Sequence, residues 1–197
     1  MDSAPLADLP APMHERVVCS ISAAMKYELP ANILLAVAEK EGGKPGQWVK
    51  NTNGTHDVGA MQFNTRYLTE LSRYGISSGD VAAAGCYPFE LAAWRLRQHI
   101  RKDSGDLWTR VANYHSRTPR YNARYRSDLM RRAARWADWL EARFVTRDVG
   151  RAATPALPDK VKSPETSARR EDGPGSAIRL PERPRGAQVA MRSVLPR

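Results

Sequence analysis

All 15 aromatic residues of this 197-residue chain lie at or before Phe144, while the remainder holds 7 of the 14 prolines. Aromatic rings supply the largest single blocks of buried apolar area, so only the part of the chain that carries them can build a core. Residues 145–197 also carry 11 Lys/Arg against 6 Asp/Glu, which is 11 − 6 = +5 of the formal +10. That composition cannot bury enough surface to offset the entropy of ordering, and 145–197 reads as a disordered, basic, Pro-rich tail. Pro5, Pro10 and Pro12 mark residues 1–12 as a flexible N-terminal arm. One folded domain over 13–144 remains, and it shows no repeat period.

Composition narrows the function classes. No run approaches the roughly 18 apolar residues of a membrane span. Two cysteines exclude a multi-disulfide scaffold and a cysteine-rich zinc site. The positive charge points to an anionic partner without naming it. His14, His56, His99 and His115 show no ligand-like pairing, and no phosphate-cradling glycine loop occurs, so no metal and no other cofactor is implied. The opening residues lack the basic start and apolar stretch of a secretory signal. A cytosolic chain, another export route, or a start further upstream are all compatible with that.

Hydrophobic spacing predicts a mainly helical domain. Val17, Val18, Ile21, Ala24 and Met25 form a helical pattern over 13–27. Pro30 opens a second helix on which Leu34, Val37, Ala38 and Glu41 share one face, and Gly42-Gly43 ends it. Asn51-Thr52-Asn53-Gly54 is turn chemistry and predicts a small hairpin or irregular loop over 48–62. Further helices are expected near 65–74, 79–84, 88–103, 106–115 and 119–143.

Glu41 is the strongest candidate for chemistry. On a face shared with Leu34 and Val37 it loses solvent, and its place in the last helical turn sets it against the negative end of the helix dipole. Both effects raise its pKa, as a proton donor working near neutrality requires. The glycines after it offer open backbone to a bulky substrate. The bland reading is a solvated helix-end charge near Lys40 and Lys44. Glu39 points off the apolar face and is the weaker candidate.

The stretch Asn51-Thr52-Asn53-Gly54-Thr55-His56-Asp57-Val58-Gly59-Ala60-Met61-Gln62-Phe63-Asn64 follows shortly after Glu41-Gly42-Gly43. It resembles the substrate-cleft segment of lysozyme-like enzymes, above all the soluble lytic transglycosylases. Ala112-Asn113-Tyr114-His115-Ser116 looks like the tyrosine-bearing motif of a later cleft helix. The resemblance covers about residues 19–129 and runs closest to the small TrbN-type transglycosylases of conjugative plasmids. It implies an α+β lysozyme-like fold: a helical domain with one short β excursion at the cleft. It also implies that the chain cleaves the β-1,4 bond between N-acetylmuramic acid and N-acetylglucosamine in peptidoglycan, leaving a 1,6-anhydro end.

By that resemblance Glu41 is the single catalytic acid, Met61 and Gln62 line the sugar cleft, and Tyr114 lies hydrogen-bonded near the acid. Gly42 stands where the family commonly has Ser, and His115 where most members have Asn. The polar contacts to the sugar N-acetyl group therefore differ. Met61 also reads as ordinary core, and His115 as a helix-end cap. Asp57 matches the position of the second carboxylate of animal lysozymes, which would make the chain a hydrolase; it also reads as a residue holding the turn. Cys19 and Cys86 are candidates for a disulfide, which agrees with periplasmic work; two unlinked buried thiols are the alternative.

The implied partners are glycan strands and, through the basic tail, proteins of a conjugative (type IV) secretion channel. The arginines interleaved with Tyr121, Tyr125, Trp136 and Trp139 on the last helix allow a reading from another class, a non-catalytic DNA-binding or scaffold component. Neither a helix-turn-helix nor a zinc-finger signature accompanies them, and aromatics at helical spacing are more simply core.

Overall fold

The computed structural model describes residues 6–149 and 189–195. Its helices are α1 (Ala11–Lys26), α2 (Ala31–Glu41), α3 (Thr65–Leu71), α4 (Ser78–Ala82), α5 (Tyr87–Lys102), α6 (Leu107–Ala112) and α7 (Pro119–Glu141). Strands β1 (Trp48–Lys50), β2 (His56–Val58) and β3 (Phe63–Asn64) follow α2, and β4 (Thr146–Asp148) and β5 (Arg192–Val194) form a separate pair. The fold is mainly helical with one small sheet at the site, the lysozyme-like class that the sequence implies.

The core is built around α2. Every residue from Ala31 to Ala38 is buried, so this helix is enclosed on all sides rather than on the single face its spacing suggests. α1 and α7 pack against it. On α1 the buried set is Val17, Ser20, Ile21 and Ala24 with Cys19 and Ala23. Val18 is 48% exposed and Met25 39% exposed, because the helix is turned to aim Cys19 at α5. The sequence pattern had set both on the apolar face.

The end of α2 is fastened twice. Gly42 takes φ 62°, where glycine is favoured, and its N–H donates to the Ala38 carbonyl at 3.2 Å. Gly43 is buried, and a Cβ there would stand 2.1 Å from the Gly59 carbonyl and 2.6 Å from Gln62 Nε2. The second glycine therefore serves close packing against the sheet loop, not open access. From α1, the Arg16 guanidinium donates to the carbonyls of Ala38 and Gly43.

β1, β2 and β3 form an antiparallel sheet in which Asp57 pairs with Val49 on one side and Asn64 on the other. The hairpin expected at Asn51–Gly54 is present, closed by Asn51 N–H to Thr55 O at 2.8 Å and Gly54 N–H to Asn51 O at 3.1 Å. Asn53 Oδ1 accepts from both the Thr55 amide and the Thr55 hydroxyl. The turn's own hydrogen bonds run through Asn51, Asn53 and Thr55, and Asp57 joins this network through Asn64, whose Nδ2 donates to both Thr55 Oγ1 and Asp57 Oδ1.

Both ends of the domain extend past the boundaries drawn at 13 and 144. Leu6 and Leu9 pack against the core, and Asp8 pairs with Arg143 at 2.7 Å. β4 and β5, inside the stretch read as tail, pair Thr146 with Val194 and Asp148 with Arg192. The anchor is Asn32, a polar residue in the apolar α2. Its amide donates to the Ala133 carbonyl at 3.0 Å and the Ala190 carbonyl at 2.8 Å, and its oxygen accepts from the Arg192 N–H at 2.9 Å. Averaged composition hides such a pairing, since a buried amide selects a few backbone groups and not a composition. Residues 150–188, most of the tail, lie outside the described residues.

Cys19 and Cys86 are joined, tying α1 to the start of α5. Closing the 67 residues between them is worth about 4 kcal/mol on a chain-entropy model. Denaturant titration with and without reductant should show a loss of that order; equal midpoints would mean that the bridge adds nothing. Replacing Asn32 by Ala leaves three backbone groups without their partner, and should cost about 1–3 kcal/mol and speed hydrogen exchange at the Arg192 amide. An unchanged Arg192 exchange rate would show that Asn32 does not hold the strand.

Candidate active site

Three consecutive residues at the end of α2 each engage α7 differently. A helix advances about 100° per residue, so the three side chains leave it in different directions. Glu39 accepts from Arg132, from Arg135 at 3.1 Å and from Trp136 Nε1 at 2.8 Å. Lys40 pairs with Asp128 at 2.7 Å. Glu41 Oε1 accepts from the Tyr125 hydroxyl at 2.6 Å. Glu39, the weaker acid candidate, is fully committed to ion pairs, whereas Glu41 meets only a neutral donor.

Burial is the largest influence on the Glu41 carboxyl and pushes its pKa from the ordinary 4.5 to about 7. The Tyr125 hydrogen bond and the charges of Arg95 and Lys40 pull it down, and the charge of Asp57 pushes it up. Burial also raises the pKa of the Tyr125 and Tyr114 hydroxyls, so both remain neutral donors. Glu41 opens on a cleft of about 700 Å³ lined by Lys40, His115, Tyr121, Arg124, Tyr125, Ser127, Asp128 and Arg131. A smaller cavity of about 320 Å³ lies among Tyr27, Tyr74, Tyr87 and Trp94, and no residue matched to the acid's surroundings lines it.

The residues singled out from sequence fall into place unequally. Tyr114 is buried with its hydroxyl donating to the Met61 carbonyl at 3.1 Å, and it lies near enough to Glu41 to feel that carboxyl's charge. The tyrosine bonded to Glu41 is Tyr125, which sequence reasoning left among the aromatics of the last helix. A signal for it existed. Tyr125, Leu129, Ala133 and Trp136 run at helical spacing along the buried stripe of α7, and a tyrosine on such a stripe needs a partner for its hydroxyl.

Met61 is fully buried and contributes its carbonyl. Gln62 adopts φ 49° and folds its amide back onto the Gly59 carbonyl at 2.9 Å. His115 is no helix cap: its ring stacks on Tyr125, with centroids 4.8 Å apart and planes 3° from parallel, in the cleft wall. Burial, with the nearby Lys40 charge, lowers its pKa and favours the neutral ring. Asp57 accepts from Asn64 Nδ2 at 2.8 Å, a cross-strand contact that orients the carboxylate. Arg95, unnoticed in the sequence, lies close enough to act on Glu41 and to sit over the Tyr67 and Tyr114 rings.

The raised pKa of Glu41 makes a stability prediction whose sign is fixed. Between 4.5 and about 7 the folded chain holds a proton that the unfolded chain has released. The stabilisation is complete below 4.5 and is lost as pH rises through 7. A Glu41→Gln chain lacks that loss, so its melting temperature should match wild type near pH 4.5 and exceed it at pH 8. A gap that does not change with pH would contradict burial as the cause.

Residues 18–131 match the family model described as "Transglycosylase SLT domain". The chain is 31% identical over 127 residues to Protein IpgF of Shigella flexneri, covering 62% of this chain and 83% of that one. It is 28% identical over 118 residues to Invasion protein IagB of Salmonella typhimurium strain SL1344, covering 59% and 71%. The matched stretch begins in α1, ends within α7 and contains every residue lining the cleft at Glu41, so the chain belongs to the transglycosylase SLT family.

Proposed function

We propose that this protein is a peptidoglycan lytic transglycosylase in which Glu41 alone serves first as acid and then as base. The observation that carries the reading is a carboxyl held near pKa 7 at the wall of a cleft large enough for sugar rings. With a glycan strand bound, protonated Glu41 gives its proton to the glycosidic oxygen as the bond to the muramic anomeric carbon breaks, and positive charge develops at that carbon. The carboxylate so formed takes the proton of the same sugar's C6 hydroxyl, whose oxygen closes on the anomeric carbon. The acid is regenerated, no water is consumed, and the product is a 1,6-anhydro end. Tyr125 supports both halves, since one hydroxyl donating to Oε1 orients the carboxyl while it is neutral and stabilises it when charged.

A second reading, a lysozyme-type hydrolase, is favoured by one observation: the Asp57 charge acts on Glu41, and Asn64 holds that carboxylate in place. There Asp57 would meet the developing positive charge and water would complete the reaction. The supporting role of Asn64 fits either chemistry. The single-carboxyl route is preferred because the motifs of the chain resemble the lytic transglycosylases and the matched family model is a transglycosylase domain.

The place of action is the periplasm, where the disulfide is stable and the wall is within reach. The service performed is local opening of the wall for a conjugative secretion apparatus. The cleft and tyrosine motifs that resemble TrbN-type enzymes suggest this, and a relative named as an invasion protein is compatible with wall opening in a related setting.

Mass analysis of digested sacculi tests the chemistry. Anhydro-muropeptides are expected, lighter by one water than the reducing-end products that would instead establish hydrolysis. Glu41→Gln should fold yet lower turnover by at least about a hundredfold, the lower range for loss of a general acid. Substantial residual turnover would remove Glu41 from the role.

A further inference from the structure

A hollow of about 420 Å³ opens between the start of α3 and the second half of α5, and Arg95 is the residue that links it to the acid. The Arg95 guanidinium stands 4.1 Å from the centroid of the Tyr67 ring and 4.6 Å from that of Tyr114. Among the described residues no carboxylate lies within ion-pairing distance of it. Arg66 and Lys102, both exposed on the rim, are likewise without an ion pair there.

The carboxylates in the hollow do not balance these charges. Asp103 is bound by Arg117 at 3.0 Å, Asn113 at 2.8 Å and His99 at 2.7 Å, so it is spent within its own cluster. Glu70 is then the one carboxylate of the lining left to face Arg66, Arg95 and Lys102. With Glu70 set against three cations the basin keeps an excess of two positive charges, which a neutral sugar chain has no use for and which costs free energy unless an anion is bound. In peptidoglycan the peptide stems on the muramic residues carry most of the negative charge, well away from the sugar rings. A guanidinium fixed between two aromatic rings keeps its outer N–H edge directed and is suited to a planar carboxylate.

We propose that this basin binds the carboxylates of the peptide stems, with Arg95 as anchor and Arg66 and Lys102 as rim contacts, so that the enzyme prefers peptide-bearing glycan. This rests on the peptidoglycan reading and names the part of the substrate that the site selects. The neutral rings occupy the cleft at Glu41, while the stem of a neighbouring muramic residue reaches the basin past Arg95. The selection is electrostatic and weakens with salt.

Titration of the full-length Glu41→Gln chain tests the proposal without turnover. The probes are uncross-linked glycan strands with their stems, the same strands with stem carboxylates converted to amides by carbodiimide and ammonia, and strands stripped of stems by an amidase. Native strands should bind about three- to tenfold more tightly than either other form, the range expected for a few partly exposed ion pairs. Arg66→Ala combined with Lys102→Ala should shrink that ratio towards one. Arg73→Ala with Arg101→Ala, which removes equal charge from outside the basin, should leave it intact. Equal binding of native and amidated strands would overturn the proposal. So would stripped strands binding as tightly as native ones, since the lactyl carboxylate at the ring would then be the ligand. Failure of the wild-type chain to cut any strand, with the binding preference intact, would instead sink the enzymatic reading alone.

Discussion

The scarcity of water around one carboxyl group at a cleft wall is the constraint around which the domain is arranged. Glu41 ends a helix whose preceding residues, Ala31 to Ala38, are all buried, so the chain carries the acid out of the core directly into the cleft wall. A buried charge unpaired by a cation would be costly, and the group responds by holding its proton. The fold could instead have neutralised it with an ion pair. It does so for Glu39, two residues earlier, which takes two arginines and an indole N–H. The difference between a glutamate bound into ion pairs and one that holds its proton is the choice of partner here: guanidinium for one, a phenol hydroxyl for the other.

That choice needs a stiff setting. Arg16 reaches from α1 to the last carbonyls of α2, which fixes where the helix stops and so where Glu41 points. Gly43 lets the sheet loop approach the helix end closely, and the Tyr114 hydroxyl secures the same loop through the Met61 carbonyl. The disulfide joins α1 to α5, the helix that carries Arg95. Acid, sheet carboxylate and Arg95 thus sit on elements that are tied to one another, so burial raises the pKa of Glu41 while the nearby charges act on it from fixed positions.

Arg95 draws the two halves of the site together. Its charge tempers the rise in the Glu41 pKa, and its ring contacts hold it where it also faces the basin beside α3. A cation that lowers the acid's pKa does so by making its carboxylate form less costly. One residue therefore acts electrostatically on the Glu41 carboxyl and also lines the basin beside α3.

Much of this was legible in the linear chain, for physical reasons. Helix ends are local events, so Pro30, Gly42 and the Asn-Gly turn marked their elements, and Glu41 stood out because period and dipole are properties of a single helix. The absence of aromatic rings after Phe144 said nothing of β4 and β5, because a short strand pair anchored on one buried amide needs little apolar area. What the sequence could not reveal depended on which helix meets which. Tyr125 rather than Tyr114 donates to the acid, α1 is rotated so that Val18 lies outside, and Asn32 captures a strand 158 to 160 residues away. Each of these joins residues far apart along the chain, and spacing within a segment holds no information about a partner on another. The sequence by itself determined that an acid would sit at the end of a dry helix; only the packing of α7 against α2 decided that a neutral hydroxyl, and not a charge, would meet it there.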